Sequence, residues 1–394
     1  MLARMGYDGP VYGTPATLDM TSLILRDSAR IQLADTDRHN RKRQRAGEAP
    51  LEPLYTPDDA ETLIRLLRPV PYQEPVQVAD GIRAVWAESG HMLGSASILL
   101  LVEEKGQTRR IVFSGDLGPR SAPMLREYEP FHEADLVFLE STYGARDHRS
   151  FTDTVAEFET IIQSAVAAGG KILVPTFAVG RAQLVLLLLG KMFRARKVRP
   201  FPIFLDSPMA IEATNIYTKH LDLFDDEMKA FIRARPLRED LKTLKLTASP
   251  AESRAINDAR GPCLVLAGAG MCNAGRIVHH LRASLWKPGT HVLIVGYQAE
   301  HTLGKKLVMR EPVVNIFGEP HELKAEVVVL NAFSGHADRN ELLAYLTQFD
   351  RKRLRKAFLV HGDLDQAETL AAGMKDCGFT DVHIPARGDT AQLT

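Results

Sequence analysis

Between residues 171 and 308 one pattern recurs: a short aliphatic run, a glycine-bearing or capped turn, then a stretch with helical period. Lys171-Ile-Leu-Val-Pro175 leads through Thr176 to Gly180 into an apolar helix that ends near Phe193. Pro202-Ile-Phe-Leu205 leads through Asp206-Ser207-Pro208 into a helix reaching Tyr217. Cys263 to Ala267 leads through Gly268-Ala269-Gly270 into a helix from around Ala274 to Leu285, and His291 to Gly296 precedes one that starts near Thr302. Strands and helices alternating at this length require a parallel sheet with crossover helices. In such sheets ligands meet the carboxyl ends of the strands, where these turns lie.

The flanks obey a different rule. Val76 to Val78, Ile82 to Ala87, Ser97 to Val102 and Arg110 to Phe113 are consecutive strand-like runs with no room for helices between them, which predicts an antiparallel meander. After residue 325 the pattern is strand (Glu326 to Leu330), helix (Asp338 to Phe349), strand (Lys356 to Val360), helix (Leu364 to Cys377) and strand (Val382 to Pro385). Asp338 followed by Glu341 has the form of a capping box. The expected organisation is a doubly wound α/β unit over 145–325, inserted between two pieces of another α/β fold at 1–144 and 326–394. One basic stretch, Arg38 to Arg45, holds five cationic side chains and is expected to be an exposed, solvated loop.

Composition narrows the class without naming a partner. The 49 basic and 49 acidic residues cancel, so any attraction for a polyanion must be local. The cysteines, Cys263, Cys272 and Cys377, are widely spaced and form no CxxC pair, which points to a reducing compartment. No run of 18 apolar residues occurs, and Tyr7-Asp8-Gly9-Pro10 is turn chemistry rather than a signal-peptide core. A cytoplasmic protein without membrane contact is the expectation.

Five segments place a histidine or carboxylate just beyond a predicted strand: Ser89-Gly90-His91, Phe113-Ser114-Gly115-Asp116, Phe138-Leu139-Glu140-Ser141-Thr142-Tyr143-Gly144, Phe333-Ser334-Gly335-His336 and Leu359-Val360-His361-Gly362. Imidazole nitrogen and carboxylate oxygen are donors that suit zinc, and an aspartate can bridge two ions. A buried glutamate after a strand suits the orientation of a neighbouring histidine. Taken singly each is weak, because a histidine beside glycine is usually a turn residue and an aspartate at a strand end is often a cap. The ordered set is what carries weight.

That set resembles the β-CASP branch of the metallo-β-lactamase superfamily, in a match running from residue 6 to the end. His91 corresponds to the family's third metal motif and Asp116 to the fourth. Glu140, His336 and His361 correspond to motifs A, B and C. The stretch Pro175-Thr-Phe-Ala-Val-Gly-Arg181, with Asp206-Ser-Pro-Met209, resembles the inserted β-CASP domain. Gly270-Met-Cys-Asn-Ala-Gly-Arg276 resembles its glycine loop. The resemblance implies an αββα lactamase sandwich carrying a doubly wound insertion, and a metallo-hydrolase that cleaves RNA with two zinc ions. His91, Asp116 and His361 would be metal ligands, with Asp116 also catalytic. His336, steered by Glu140, would protonate the leaving oxygen. Arg181, Ser207, Gly270 and Arg276 would touch the RNA. Retention of His361 favours RNA over DNA, and the family leaves a homodimer open. Nothing in the residues separates endonucleolytic from 5′-to-3′ exonucleolytic cleavage.

One departure accompanies the match. The family's His-x-His-x-Asp-His signature occurs nowhere among the thirteen histidines. The expectation is a chain truncated at its N-terminus, lacking the earliest strands of the sandwich and part of both zinc sites, with poor metal binding and doubtful activity. The alternative class is a non-catalytic RNA-binding scaffold of the same family.

Overall fold

The computed structural model describes residues 1–120, 122–330 and 333–391. The chain begins with β1 (Val11–Gly13), the 31-residue helix α1 (Pro15–Arg45), α2 (Pro57–Arg65) and β2 (Leu67–Pro69), which pairs in parallel with β1. The meander follows as β3 (Val76–Ala79), β4 (Ile82–Glu88), β5 (Ala96–Glu104) and β6 (Gln107–Phe113), each antiparallel to the one before. β7 (Leu136–Glu140) then joins β6 in parallel.

The basic stretch Arg38 to Arg45 is the last two turns of α1, not a loop. Thr14 caps this helix and Pro15 stands at its first position, while no glycine or proline interrupts it. Its buried face is thin, consisting of Ala16, Met20, Ala29 and Thr36. The cations at its C-terminal end complement the helix dipole.

The inserted unit comprises α3 (Phe151–Ala167), β8 (Lys171–Pro175), α4 (Arg181–Arg194), β9 (Ile203–Asp206), α5 (Pro208–Lys219), α6 (Asp226–Ala234) and α7 (Leu237–Asp240). It continues with β10 (Leu244–Leu246), α8 (Pro250–Ala255), β11 (Cys263–Ala267), α9 (Arg276–Ser284), β12 (His291–Ile294) and α10 (Leu303–Val308). The hairpin β13 (Val313–Ile316) and β14 (Glu319–Glu322) and the strand β15 (Glu326–Val329) complete it. Six strands form one parallel sheet in the order β10-β9-β11-β8-β12-β15. α4 is apolar through its middle, and Leu184 to Leu189 are all at most 4% exposed, so that stretch is enclosed rather than laid on a surface. Each such side chain contributes roughly 1.5–3 kcal/mol of burial, which fixes the start of α4, and Arg181 with it, against the sheet.

The chain leaves this sheet after Val329 rather than at residue 325, because β15 is the edge strand beside β12. The remaining elements, α11 (Arg339–Thr347), β16 (Lys356–Val360), α12 (Leu364–Asp376) and β17 (Val382–His383), return to the flanking lobe. There β16 pairs in parallel with β7, completing a seven-stranded sheet ordered β17-β16-β7-β6-β5-β4-β3. Alternation along these strands sends Val112, Val137, Leu139 and Leu359 towards α11 and α12. Phe113, Phe138 and Phe358 stack on the opposite face, at 4.6 and 4.7 Å between ring centroids.

The crossing back between lobes is abrupt. Phe333 is fully buried in the core of the inserted unit, whereas Ala337, four positions later, is fully buried in that of the flanking lobe. No helix among the described residues is long and apolar enough to cross a membrane.

Candidate metal centre and interlobe cleft

Parallel pairing sets the ends of β6, β7 and β16 side by side, with Phe113 opposite Phe138 and Val360 opposite Glu140. The residues just past these ends therefore share one edge. Glu140 is the last residue of β7, Asp116 lies three residues beyond β6, and His361 is the first residue after β16. Gly362 lets the two loops touch, since a Cβ there would overlap Ser141. His361 itself adopts φ +53°, a left-handed conformation that costs a non-glycine residue about 1–3 kcal/mol and collects at functional sites.

His91 comes from the loop between β4 and β5, which Ser95 tightens by accepting the amides of His91 and Met92, both at 3.1 Å. Gly90 bridges to Leu117, so this loop lies beside the one carrying Asp116. His336 arrives from the crossing segment between β15 and α11, and Ala337 N–H donates to Leu117 O at 2.7 Å. The Asp338–Glu341 capping box that fixes the start of α11 is present as the sequence predicts.

These side chains meet. One donor atom each from Asp116, Glu140, His336 and His361 lies within 4.8 Å of the others. His91 Nε2 is 3.8 Å from Asp116 Oδ2, His361 Nδ1 is 3.1 Å from Asp116 Oδ1, and the rings of His91 and His336 are 4.5 Å apart. The donors are imidazole and carboxylate, the set zinc takes. His91 Nδ1 donates to Gly335 O at 2.8 Å, which leaves the Nε2 lone pair facing Asp116. Burial, then the neighbouring His336 and Arg181, lowers the His91 pKa to about 4, so its ring is neutral at pH 7, as a ligand must be.

Glu140 is 1% exposed and works in two directions. Its Oε1 accepts Leu117 N–H at 2.6 Å, and its Oε2 accepts His336 Nδ1–H at 3.0 Å. Burial alone would raise its pKa; the hydrogen bonds and charge of His336, with those of Thr142 and Leu117, lower it instead. Glu140 therefore stays a carboxylate and leaves His336 Nε2 free for chemistry.

The four expected RNA contacts differ in what surrounds them. Arg181 reaches the centre, its guanidinium lying against Gly335. Arg276 is spent inside the inserted unit, with Nη1 2.7 Å from Asp206 Oδ1 and further bonds to Thr247 O and Ala248 O. Asp206 is fully buried and also receives His280, Ser253 and Thr247. Ser207 caps α5 through Ala210 N–H, and Gly270 packs against the ring of Phe177. No anion contact is needed to account for these three.

Two residues not among the expected site residues, His148 and Tyr143, brace the site. His148 donates from Nε2 to His336 O at 2.9 Å, and its ring packs edge-on against Tyr143 at 4.7 Å. Both line a cleft of about 430 Å³ between the lobes, together with Tyr297 and Asp363. The Tyr297 hydroxyl donates to Asp363 Oδ2 at 3.0 Å, joining the inserted unit to the start of α12. Motif A announces Tyr143 by adjacency; His148, in a polar loop, has no such neighbour.

Residues 182–307 match the Beta-Casp domain family, and residues 320–385 match the family described as the Zn-dependent metallo-hydrolase RNA specificity domain. Over 374 residues the chain is 37% identical to ribonuclease TTHA0252 of Thermus thermophilus, covering 94% of this chain and 79% of that protein. It is 30% identical over 401 residues to transcription termination factor FttA of Methanocaldococcus jannaschii, which spans 98% of this chain but only 60% of that factor. An RNase J-like protein of the same organism is 29% identical over 343 residues, covering 86% of this chain and 77% of its own length.

Proposed function

The chain belongs to the β-CASP ribonuclease family of metallo-β-lactamase-type hydrolases, and on that premise we propose that it hydrolyses RNA phosphodiester bonds at the interlobe centre, with zinc held by His91, Asp116 and His361. The observation that carries this reading is the convergence of His91, Glu140, His336 and His361 around Asp116, with imidazole nitrogens of His91 and His361 at 3.8 and 3.1 Å from its carboxylate. Zinc bound there supplies Lewis acidity, which makes water a nucleophile at neutral pH and offsets phosphate charge.

The chain's own residues do the rest. Asp116 orients His361 and faces His91. His336, held through Nδ1 by Glu140, presents Nε2 to the leaving oxygen and gives it a proton. His148 fixes the backbone of His336. The retained His361 favours RNA over DNA, because family members that process DNA tend to lack a histidine there.

A second reading rests on the donor set itself, since His91, Asp116 and His361 are too few to give each of two ions three or four protein ligands. It makes the chain a non-catalytic RNA-binding protein with the same cleft. Zinc content and cleavage of 5′-labelled and internally labelled RNA separate the two. Hydrolysis by a protein retaining about one zinc or more per chain supports the enzyme. Retention of RNA without cleavage, at lower zinc content, supports the scaffold.

A further inference from the structure

Arg181 opens α4, whose first residues follow Gly180 with no side-chain cap. Its guanidinium does not point into solvent along the inserted unit. It lies so close to Gly335 that a Cβ at that position would overlap Nη2, and the same Cβ would sit 2.9 Å from His91 Cε1. A side chain rooted in one lobe thus ends inside the centre built by the other, between His91 and the segment carrying His336.

The group is also alone. Arg194 and Arg276, the other half-buried arginines of the inserted unit's core, are paired with Asp240 and Asp206, both fully buried side chains. Arg181 has no carboxylate within ion-pair distance and no side-chain hydrogen bond among the described residues; the groups that feel its charge are the phenols of Tyr143 and Tyr217 and the imidazole of His91, none of which carries the opposite charge at pH 7. Although the residue keeps some solvent contact, the guanidinium is enclosed enough that burial lowers its pKa to about 10, still protonated at pH 7. An enclosed, unpaired cation destabilises a fold unless something supplies the opposite charge.

We propose that the scissile phosphate supplies it: Arg181 donates to a non-bridging oxygen of the phosphate attacked between His91 and His336, which makes it a catalytic residue contributed by the inserted lobe. This rests on the hydrolase reading above and adds to it. Hydroxide forms the new P–O bond, the bond to the leaving oxygen breaks, and the leaving oxygen takes its proton from His336. Arg181 keeps all its protons. Attack raises the charge on the non-bridging oxygens, so the guanidinium interaction strengthens towards the transition state and acts on kcat more than on KM. Gly335 is the complement of this arrangement, since only a residue without a side chain leaves room for Nη2.

The test compares the full chain with R181M, R181K and G335A. Without ligand, R181M melts at or above the wild-type temperature, because an unpaired charge has been removed. Its affinity for inorganic phosphate in chelator, and for a non-cleavable 2′-O-methyl oligoribonucleotide, falls roughly 10- to 100-fold, with R181K between. With zinc, R181M loses kcat while KM changes less. G335A reproduces the R181M losses and adds little to them in the double variant. A clear fall in the ligand-free melting temperature of R181M with phosphate and RNA affinity unchanged overturns the proposal and makes Arg181 an interlobe brace. RNA cut by R181M at the wild-type rate overturns it too, and leaves the hydrolase reading standing. If the wild-type chain neither binds nor cuts RNA yet binds phosphate only through Arg181, the anion contact stands and the hydrolase reading falls.

Discussion

Glu140 and His336, 196 positions apart in sequence, meet at 3.0 Å between Oε2 and Nδ1, while the other oxygen of the same carboxylate holds the Leu117 amide beside Asp116. One buried group therefore sets both the His336 imidazole and the loop that carries Asp116.

Replacing Glu140 tests this double duty. E140A leaves two buried donors unanswered and lowers stability by about 1–3 kcal/mol for each. E140Q keeps one acceptor, so it folds, but it loses the charge that orients His336, and turnover drops roughly 10- to 100-fold. Urea melts and steady-state RNA cleavage measure the two separately; full activity in E140Q sinks the assignment.

Metal content divides the cluster. H91A, D116A and H361A are expected to lose most bound zinc and all cleavage, whereas H336A keeps much of its zinc and loses turnover. Elemental analysis of the four purified variants decides it. Equal zinc loss in H336A makes His336 a ligand, as its place within the 4.8 Å cluster also permits.

Asp206 is a stability prediction remote from metal. Burial would raise its pKa, but hydrogen bonds from His280, Ser253, Arg276 and Thr247 outweigh that and bring it to about 2. A depressed carboxylate stabilises the fold above its ordinary value near 3.8, and that contribution is lost as pH falls through about 2. D206N strands Arg276 and costs on the order of 3–5 kcal/mol. The penalty stays constant from pH 7 to 5 and shrinks only in strong acid, as read by melts across that range.

Glu88 has the opposite sign. It is 4% exposed, and burial raises its pKa to about 7 despite the Gly90 amide at 2.9 Å. A raised carboxyl favours folding below its ordinary value near 4.5, and the benefit disappears as pH climbs through about 7. E88Q is therefore expected to be more stable than wild type at pH 8, by up to roughly 2–3 kcal/mol, with the gap closing by pH 5. A gap independent of pH contradicts it.

Much of the architecture is legible in the residues. The parallel sheet follows from aliphatic runs and the turns after them, and four of its strands fall within a residue or two of expectation at the end that carries the turn. The metal-type side chains are legible as well, because Asp116, Glu140 and His361 stand at or just past the ends of β6, β7 and β16, which pairing sets side by side, whereas His336 is carried there by the crossing segment after β15. What is not legible shares a cause. Arg38 to Arg45 reads as a loop because its charges hide the sparse stripe of α1, whose helicity depends on the Thr14 cap and uninterrupted helix formers. Glu326-Val-Val-Val329 gives no sign of which sheet it joins, since an aliphatic edge strand suits either. The commitment of Arg276 to Asp206 is a contact across 70 positions that local pattern does not encode. The same holds for His148.

Between Phe333 and Ala337 the polypeptide passes from one packed interior to another, and His336 rides on that short span. Glu140, at the end of β7, precedes the outgoing passage into α3. The two partners of one hydrogen bond thus stand at the hinges of the insertion. Any change in the angle between the lobes must be taken up, on the return side, within the few residues that carry His336, so the shape of the cleft and the placing of that imidazole are set together.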